Sequence, residues 1–350
     1  MIRNSGTQHV DLGFMRLTDA APLIVAQELG YFREAGISAT LHQEVSWASV
    51  RDKLVAGTLD AAPLLAPLLA MMTLGASGMR TPLLSGLVLS RNGNAITLSS
   101  QLAKEVRSNQ MDSERMVQSF AEQPMTLGTV HAFSSHTLLL RRWLRRNGIN
   151  PDKDVRFLVI PPSQMVDSLN SGLIDGFCAG EPWNTLAVLQ GVGEIVALGS
   201  QLRANAPEKV LAVTRDWHEA NVDLHRRLRW ALLRSCVAIE NGNVPGELAE
   251  MLSEPSYLDL PVEIIRPALE GRIQTSHDQY LTDENFMVFS GASVNSPDVT
   301  AAMSGIRHCT EMMGKVVPEE IAQSIAHQIC RVDLYRQTVT DISSRALVST

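Results

Sequence analysis

The chain has 350 residues, of which 45% are hydrophobic and 19% are charged, and its formal net charge is −7 at pH 7. This is ordinary globular composition, and the length suits two domains or one two-lobed unit. The acidic balance argues against a nucleic-acid-binding surface, which needs a basic stripe. It does not exclude a small anion as ligand, because a few local hydrogen-bond donors decide that.

The sequence also indicates where the protein is located and whether it binds a metal. Residues 1–10 are polar and lack the basic and apolar regions of a secretory signal peptide, and no long uncharged apolar run suggests a membrane span. The four cysteines match no zinc-binding spacing, so reduced thiols are the simplest interpretation. We therefore expect a cytoplasmic protein without a metal ion or other cofactor.

One sequence pattern occurs twice. The pattern Asp-x-Leu-x-x-Gly-x-(Leu/Ile)-Asp-(Ala/Gly) spans residues 52–61 and, 115 positions later, 167–176. A Leu-Gly pair opens a strand at 12–13 and again at 127–128, with the same separation. The repeat predicts two similar α/β lobes. In each copy the glycine is expected to end a helix before a strand, which is compatible with a purely structural turn or with a strand lying beneath a ligand cleft.

The predicted elements alternate between strands and helices. In the first half, strands are predicted at 10–14, 39–44 and from 61, and helices at 20–31, 46–56 and 66–74. In the second half, strands are predicted at 126–129, 155–159 and 174–179, and helices at 134–147 and 162–171. Thr18 or Asp19 is expected to cap the first helix, and Ser46 and either Ser134 or Ser135 the later ones. The alternation predicts parallel sheets.

After about residue 205 the pattern becomes mostly helical, with a strand at 210–214 that could return to the first lobe. We therefore expect a two-lobed α/β fold with a hinge and an interlobe cleft. Residues 1–92 and 205–350 would form a discontinuous first lobe, and residues 93–204 an inserted second lobe. The crossings near 89–95 and 198–206 would be the hinge, where Gly93 suits a change of backbone direction.

Four side chains stand near the loops predicted to line this cleft. Helix N-termini at the carboxyl ends of parallel strands favour anions. Trp47 can donate its indole N–H to an oxyanion or be a core residue, and His136 can contact a ligand or be a satisfied histidine. Lys209 can pair with an anion or be solvated, and Asn94 can contact the ligand or shape a turn. No P-loop, GxGxxG, GxSxG or HExxH motif is present, so the sequence does not predict an enzyme.

Several of these segments resemble the NrtA/CmpA nitrate-binding family, which has the type II periplasmic-binding-protein fold. The matching segments are 17–23 (Leu-Thr-Asp-Ala-Ala-Pro-Leu), 46–53 (Ser-Trp-Ala-Ser-Val-Arg-Asp-Lys), 57–67 (Gly-Thr-Leu-Asp-Ala-Ala-Pro-Leu-Leu-Ala-Pro), 161–166 (Pro-Pro-Ser-Gln-Met-Val), 180–184 (Gly-Glu-Pro-Trp-Asn) and 207–211 (Pro-Glu-Lys-Val-Leu). The resemblance is strong over about residues 10–220 and weaker in the C-terminal third.

The resemblance implies that nitrate or nitrite binds between the lobes, surrounded by Trp47, Asn94, His136, Lys209 and Gln164. Asn94 stands where the transport proteins carry glutamine, which weakens the inference at that position. A lysine at 209 implies nitrate rather than bicarbonate, because the bicarbonate binders are acidic there and recruit calcium.

Three classes of protein fit the resemblance. Because no export signal is seen, the chain most resembles the cytoplasmic NasS-type nitrate/nitrite sensors. This resemblance implies that anion binding releases a NasT-type RNA-binding antiterminator. The second class is the substrate-binding component of a nitrate ABC transporter. The third is the thiamine-pyrimidine synthases, which share the fold but use a cysteine-rich iron site that the four scattered cysteines do not match.

Overall fold

The computed structural model describes residues 7–76, 78–107 and 124–346. Residues 1–6, part of the polar stretch on which the expected location rests, lie outside this part. The strands, in chain order, are β1 (Gln8–Met15), β2 (Ile37–Glu44), β3 (Ala61–Leu65), β4 (Leu83–Leu84), β5 (Val88–Asn92), β6 (Asn94–Ser99), β7 (Met125–Thr129), β8 (Val155–Val159), β9 (Gly176–Gly180), β10 (Gly193–Leu198), β11 (Pro207–Thr214), β12 (Arg272–Gln274), β13 (Tyr280–Thr282) and β14 (Met287–Val288).

The helices are α1 (Ala21–Glu28), α2 (Tyr31–Glu34), α3 (Trp47–Ala56), α4 (Ala66–Leu74), α5 (Ser100–Arg107), α6 (Ser135–Arg146), α7 (Met165–Asn170), α8 (Trp183–Leu189), α9 (Gly199–Leu202), α10 (Arg215–Ala220), α11 (Val222–Glu240), α12 (Leu248–Ser253), α13 (Val262–Glu270), α14 (Val299–Met312), α15 (Glu319–Ile329) and α16 (Val332–Ala346). Short 3-10 turns at Thr18–Ala20 and Pro162–Gln164 precede α1 and α7.

Two sheets form the framework. One has the strand order β14-β5-β11-β3-β1-β2, with β4 also paired to β11, and the other has the order β10-β6-β9-β7-β8. Every strand of the second sheet falls within residues 93–204, and every strand of the first lies outside that range. This distribution agrees with the expected lobes, although the lobe boundaries themselves stay a prediction. The two sheets agree with the two-lobed α/β fold class that the sequence predicted.

The prediction of parallel sheets was only partly right. β1 pairs in parallel with β2 and β3, and β7 pairs in parallel with β8 and β9. However, β11 runs antiparallel to β3 and β5, and β6 runs antiparallel to β9 and β10. β6 and β11 are the strands that follow the crossings, so each enters a sheet directly rather than through a βαβ connection that would keep it parallel.

The repeated segments have the same structural task in both halves. Asp60 accepts a hydrogen bond from the backbone N–H of Asp11 (2.8 Å), and Asp175 accepts one from Thr126 (2.7 Å). Both acceptors thereby tie the helix-to-strand turn to the first strand of their own half. Gly57 and Gly172, both with φ of +72°, supply the left-handed residues after the two helices. The repeat is therefore a structural turn in both halves.

The Leu-Gly pairs at the start of each half belong to the same arrangement. A Cβ on Gly13 would lie 2.6 Å from a Leu59 methyl carbon, and one on Gly128 would lie 2.9 Å from Ile174. Leu59 and Ile174 occupy equivalent positions of the repeat, so the absent side chain lets the turn pack closely on the strand.

Serine caps start two of the helices that face the cleft. Ser46 accepts from the backbone N–H of Ser49 at the start of α3, and Ser134 accepts from Thr137 at the start of α6. These two predictions are confirmed. The expected cap of the first helix is wrong: α1 and the 3-10 turn before it have no side-chain cap. The carboxylate of Asp19 pairs instead with Lys209.

The two crossings between the sheets lie side by side. The backbone N–H of Asn92 donates to the carbonyl of Ala206 (3.0 Å), and the Asn92 side-chain oxygen accepts from the N–H of Ala206 (3.1 Å). Asn92, Gly93 and Asn205 have positive φ angles of 60°, 81° and 53°. A hinge at these crossings stays a prediction.

The C-terminal helices brace the first sheet. α14 and α15 pack on α4, and α16 packs on the long helix α11. Ile306, Ala326 and Ile329 are buried in the hydrophobic cluster that includes α4. This part of the chain therefore packs against helices α4 and α11. No helix within the described residues is both long and apolar enough to cross a bilayer.

Candidate functional site

A fully buried lysine lies at the centre of the candidate site. Lys209 is on β11 between β3 and β5. Its Nζ lies 2.7 Å from Asp19 Oδ2 and 2.8 Å from Glu208 Oε1, and both carboxylates are also buried. Burial alone lowers the pKa of Lys209, but the two carboxylates outweigh it and raise that pKa. Lys209 is therefore a charged ammonium held inside the protein.

An indole ring covers this ammonium. Trp47 is the first residue of α3, and only 1% of its surface is exposed. The ammonium lies 5.2 Å from the centroid of the ring, within the range of a cation–π contact. The indole Nε1 is buried and has no hydrogen-bond partner in the described part of the chain. Trp47 therefore both shields the lysine and carries an unused donor beside it.

The second sheet supplies a histidine–asparagine pair. His136, in the first turn of α6, is fully buried, and its Nε2 lies 2.8 Å from Asn94 Oδ1. Asn94 Nδ2 donates to Glu208 Oε2 at 2.7 Å, and the Ser135 hydroxyl donates to the same oxygen. Glu208 thus joins a residue on β6 and another on α6 to the first sheet.

The ionisation of the acidic and imidazole groups follows from their surroundings. Burial raises the pKa of Glu208, but the Lys209 ammonium, the charge of His136 and the donated hydrogen bonds reverse this and bring it to about 2. Burial dominates for Asp19 and raises its pKa, although Lys209 lowers it. Burial also lowers the pKa of His136 to about 4. At neutral pH the imidazole is therefore uncharged.

Apart from Asp19 Oδ2, which lies 2.7 Å from the Lys209 ammonium, three buried polar atoms in these elements lack hydrogen-bond partners among the residues described. They are Trp47 Nε1, His136 Nδ1 and the hydroxyl oxygen of Thr18, which neighbours Asp19. An unsatisfied buried polar group costs about 1–3 kcal/mol, so three such groups on the elements that carry the Lys209 cluster point to a ligand rather than to packing. A small oxyanion offers acceptor oxygens to the donors and charge complementarity to the lysine.

The structure brings together four of the five residues that the resemblance implied. Trp47, Asn94, His136 and Lys209 form one contact network, whereas Gln164 is exposed at the end of the 3-10 turn Pro162–Gln164. The role of each as a ligand-binding residue stays a prediction.

Sequence reasoning missed Asp19, Glu208 and Ser135 as members of this network. Each was within reach, since Asp19 lies in the matched segment 17–23, and Glu208 and Ser135 directly precede Lys209 and His136.

Contacts between the two sheets continue beyond this network. The backbone N–H of Thr18 donates to the carbonyl of Glu181 (2.8 Å), and Trp183 Nε1 donates to the carbonyl of Arg16 (3.1 Å). Thr18 and Arg16 follow β1, whereas Glu181 and Trp183 follow β9. The segments that follow these two strands are therefore joined by hydrogen bonds.

A cavity of about 360 Å³ borders the Glu208 network. Asn94, Ser135 and Glu208 contribute to its wall, and residues of α14 also line it. Much of its remaining lining is apolar, and the charged residues there are the acidic Asp298 and Glu311 and five arginines, four on α6 and one beside α9: Arg141, Arg142, Arg145, Arg146 and Arg203. Clustered cations at a cleft raise the local concentration of anions.

The described residues contain no group of three or more histidine, cysteine, aspartate or glutamate side chains arranged to hold a metal ion. The four cysteines are free thiols, three of them buried. Burial raises the pKa of Cys178 well above its usual value, so it is a neutral thiol rather than a reactive thiolate.

Comparison with known proteins points to a family of anion-binding proteins. The model of the NMT1-like family matches residues 3–253. The bicarbonate transport ATP-binding protein CmpC of Synechococcus elongatus is 34% identical over 97% of this chain and 50% of its own length. The nitrate/nitrite binding protein NrtA of the same species is 34% identical over 75% of this chain and 62% of its own. The chain thus spans about half to two thirds of these relatives.

Solved structures agree. The periplasmic nitrate-binding protein NrtA from Synechocystis superposes with a TM-score of 0.88 at 26% identity, covering 96% of this chain and 89% of that one. The alkanesulfonate-binding protein SsuA from Xanthomonas axonopodis shares the fold, with a TM-score of 0.64 at 13% identity over 94% and 98% of the two chains. The resemblance expected from the segments around Trp47 and Lys209 is confirmed: the chain belongs to the NMT1-like family and is a relative of the NrtA and CmpA binding proteins.

Proposed function

We propose that this protein binds nitrate or nitrite between its two lobes and acts as a cytoplasmic sensor that releases a protein partner when the anion binds. The observation that carries the anion site is the set of buried, unpartnered atoms of Trp47, His136 and Thr18 on the elements that carry the Lys209 cluster. NrtA relatives whose names specify nitrate and nitrite support the choice of ligand. We infer no catalytic role, and the named binding-protein relatives are consistent with that.

The same network explains how binding could change the shape of the protein. Asn94 and His136 lie in the part of the chain that carries the second sheet, whereas Trp47 and Lys209 lie in the parts that carry the first. An anion held by both sets stabilises the closed arrangement, and separation of the lobes breaks the hydrogen bonds of Glu208 to Asn94 and Ser135. A hinge at Asn92–Gly93 and Asn205 would provide the motion.

For the partner, we propose an RNA-binding antiterminator of the NasT type, held by the anion-free form. The anion favours the closed form and the partner favours the open one, so each weakens binding of the other by the same coupling free energy. A shift from mostly bound to mostly released needs about 3–5.5 kcal/mol of such preference. The acidic chain itself makes no contact with nucleic acid in this scheme.

Two measurements test these statements separately. Calorimetric titration with sodium nitrate, sodium nitrite, bicarbonate with calcium, and an alkanesulfonate tests the ligand, and we expect binding of nitrate or nitrite only. A pull-down of the purified antiterminator with increasing nitrate tests the partner. A complex that survives saturating nitrate and nitrite contradicts the sensor, even if the anion site is confirmed.

The alternative is the substrate-binding component of a nitrate ABC transporter. The observation that favours it is that several relatives are named as ATP-binding proteins for bicarbonate transport or nitrate import, and the chain matches about half of their length or less. Co-purification from a native source distinguishes the two functions. An ABC ATPase or permease among the captured proteins favours transport, and the antiterminator favours sensing.

A further inference from the structure

The hydrogen bonds around His136 fix which of its ring nitrogens carries the proton, and this has a consequence for anion binding. We propose that the site takes up nitrate or nitrite together with one proton, and that Nδ1 of His136 holds that proton in the complex. This inference rests on the proposed anion site and adds a second species to the binding reaction.

The first step is the orientation of Asn94. Its Nδ2 lies 2.7 Å from Glu208 Oε2. Glu208 is ionised, since its pKa is about 2, and an ionised carboxylate only accepts hydrogen bonds. The amide nitrogen must therefore face Glu208, and the amide oxygen must face the opposite way, towards His136.

The second step is the tautomer of His136. Asn94 Oδ1, an acceptor, lies 2.8 Å from His136 Nε2, so Nε2 must carry the hydrogen. A neutral imidazole has a single N–H, so Nδ1 is left with a bare lone pair. Nδ1 is buried and has no partner among the described residues. Nitrate and nitrite have only acceptor oxygens, so contact with Nδ1 is repulsive until that nitrogen is protonated.

The third step is the charge balance of the site. The single positive charge of Lys209 already has two carboxylate partners, Asp19 at 2.7 Å and Glu208 at 2.8 Å. A bound anion would add a negative charge in a buried place, where uncompensated charge is costly. One added proton restores the original balance. Protonated His136 would donate from Nε2 to Asn94 and from Nδ1 to the anion.

Other titratable groups nearby are possible competitors for the proton. Those in the Lys209 network, or on the strands and loops beside it, are Asp19, His131, Cys178, Glu181, Glu208 and Lys209. Burial raises the pKa of Glu181 to about 7 and also raises that of Asp19, so these two carboxylates are the competitors for the proton at neutral pH. Burial likewise keeps Cys178 neutral, and it lowers the pKa of His131 to about 4.

The test is calorimetric titration of the full chain with sodium nitrate and sodium nitrite in buffers of different ionisation enthalpy. We expect uptake of about one proton per anion at pH 7, and an affinity that falls about tenfold for each unit of pH rise while the complex stays protonated. Glu181→Gln is the control and should retain both effects. His136→Gln, whose amide can still donate to the anion, should lose the proton uptake and the pH dependence.

Nitrogen NMR of His136 in the wild-type chain gives a readout that does not depend on any variant. Without anion, Nε2 should be protonated and Nδ1 bare, and with nitrate both nitrogens should be protonated. Anion binding without proton uptake, or uptake that His136→Gln keeps, overturns this inference alone. Failure of both anions to bind overturns the proposed function and this inference with it.

Discussion

Replacing Lys209 by methionine tests the energetic centre of the site. Methionine keeps much of the buried volume but removes the ammonium that lies 2.7 Å from Asp19 and 2.8 Å from Glu208. Removing one partner of a buried ion pair typically costs about 3–5 kcal/mol, because the remaining charge is left buried without compensation. Lys209 has two carboxylate partners, so we expect a loss of stability at the upper end of that range. The typical total stability of a protein is about 5–15 kcal/mol.

The same variant should lose anion affinity. A charge-assisted hydrogen bond contributes about 1.5–3 kcal/mol, so nitrate binding should weaken roughly 10- to 150-fold. Urea unfolding measures the first effect, and calorimetric titration with nitrate measures the second. Adding Asp19→Asn to Lys209→Met removes one of the two carboxylates that have lost their partner, and it should recover part of the lost stability. Recovery of stability without recovery of nitrate affinity separates the structural contribution of Lys209 from its contact with the anion.

Arg266→Met is the matched control. Arg266 also pairs with a carboxylate, that of Glu247, but both side chains are well exposed. Its replacement should leave the unfolding midpoint and nitrate affinity nearly unchanged, since water screens such pairs. If Lys209→Met is as stable as the wild type and binds nitrate equally well, the charged cluster is neither a structural centre nor an anion site.

Three further predictions concern the fold, the cleft border and pH. Asp175→Ala removes the acceptor for the backbone N–H of Thr126 and should cost about 0.5–1.5 kcal/mol in urea unfolding while leaving nitrate affinity unchanged; lost affinity would instead give the repeat a ligand role. The double replacement Arg145→Gln and Arg146→Gln at the cavity border should slow nitrate association about 3- to 10-fold at low salt, as measured by stopped-flow tryptophan fluorescence. The difference in rate should vanish at high salt if electrostatic attraction of the anion is the cause. The pKa of His136 is lowered from 6.5 to about 4 in the folded protein, so its contribution to stability is present above pH 6.5 and is lost as the pH falls towards 4. Thermal unfolding of the anion-free chain should show this loss of stability. An equal loss in His136→Gln at acid pH would contradict the prediction.

The sequence specified most of the local structure. Ser46 and Ser134 as caps, and Gly57 and Gly172 as left-handed residues, were readable because each depends on contacts within a few residues. The ten-residue pattern that recurs 115 positions later also marks the same turn in both halves, tied in each case to the first strand.

The site was readable in part. Trp47, Asn94, His136 and Lys209 were named from segments of the chain, and the structure joins all four in one network. Gln164 came from the same resemblance but is exposed outside the network, because residues that begin neighbouring helices need not point to the same place. The antiparallel course of β6 and β11 was also missed, since strand direction after a crossing depends on which sheet the chain re-enters.

Sequence alone therefore determined the elements, the repeat and the family likeness, all of which depend on neighbouring residues or on shared motifs. Tertiary structure alone decided the electrostatics of the site. Asp19 and Lys209 are 190 positions apart in the chain, yet folding brings them into one buried ion pair. That pair takes Asp19 away from the helix cap for which its sequence position suits it. The hydrogen bonds of Glu208 to Asn94, and of Asn94 to His136, then set the orientation of the amide and the tautomer of the ring, which no local pattern encodes.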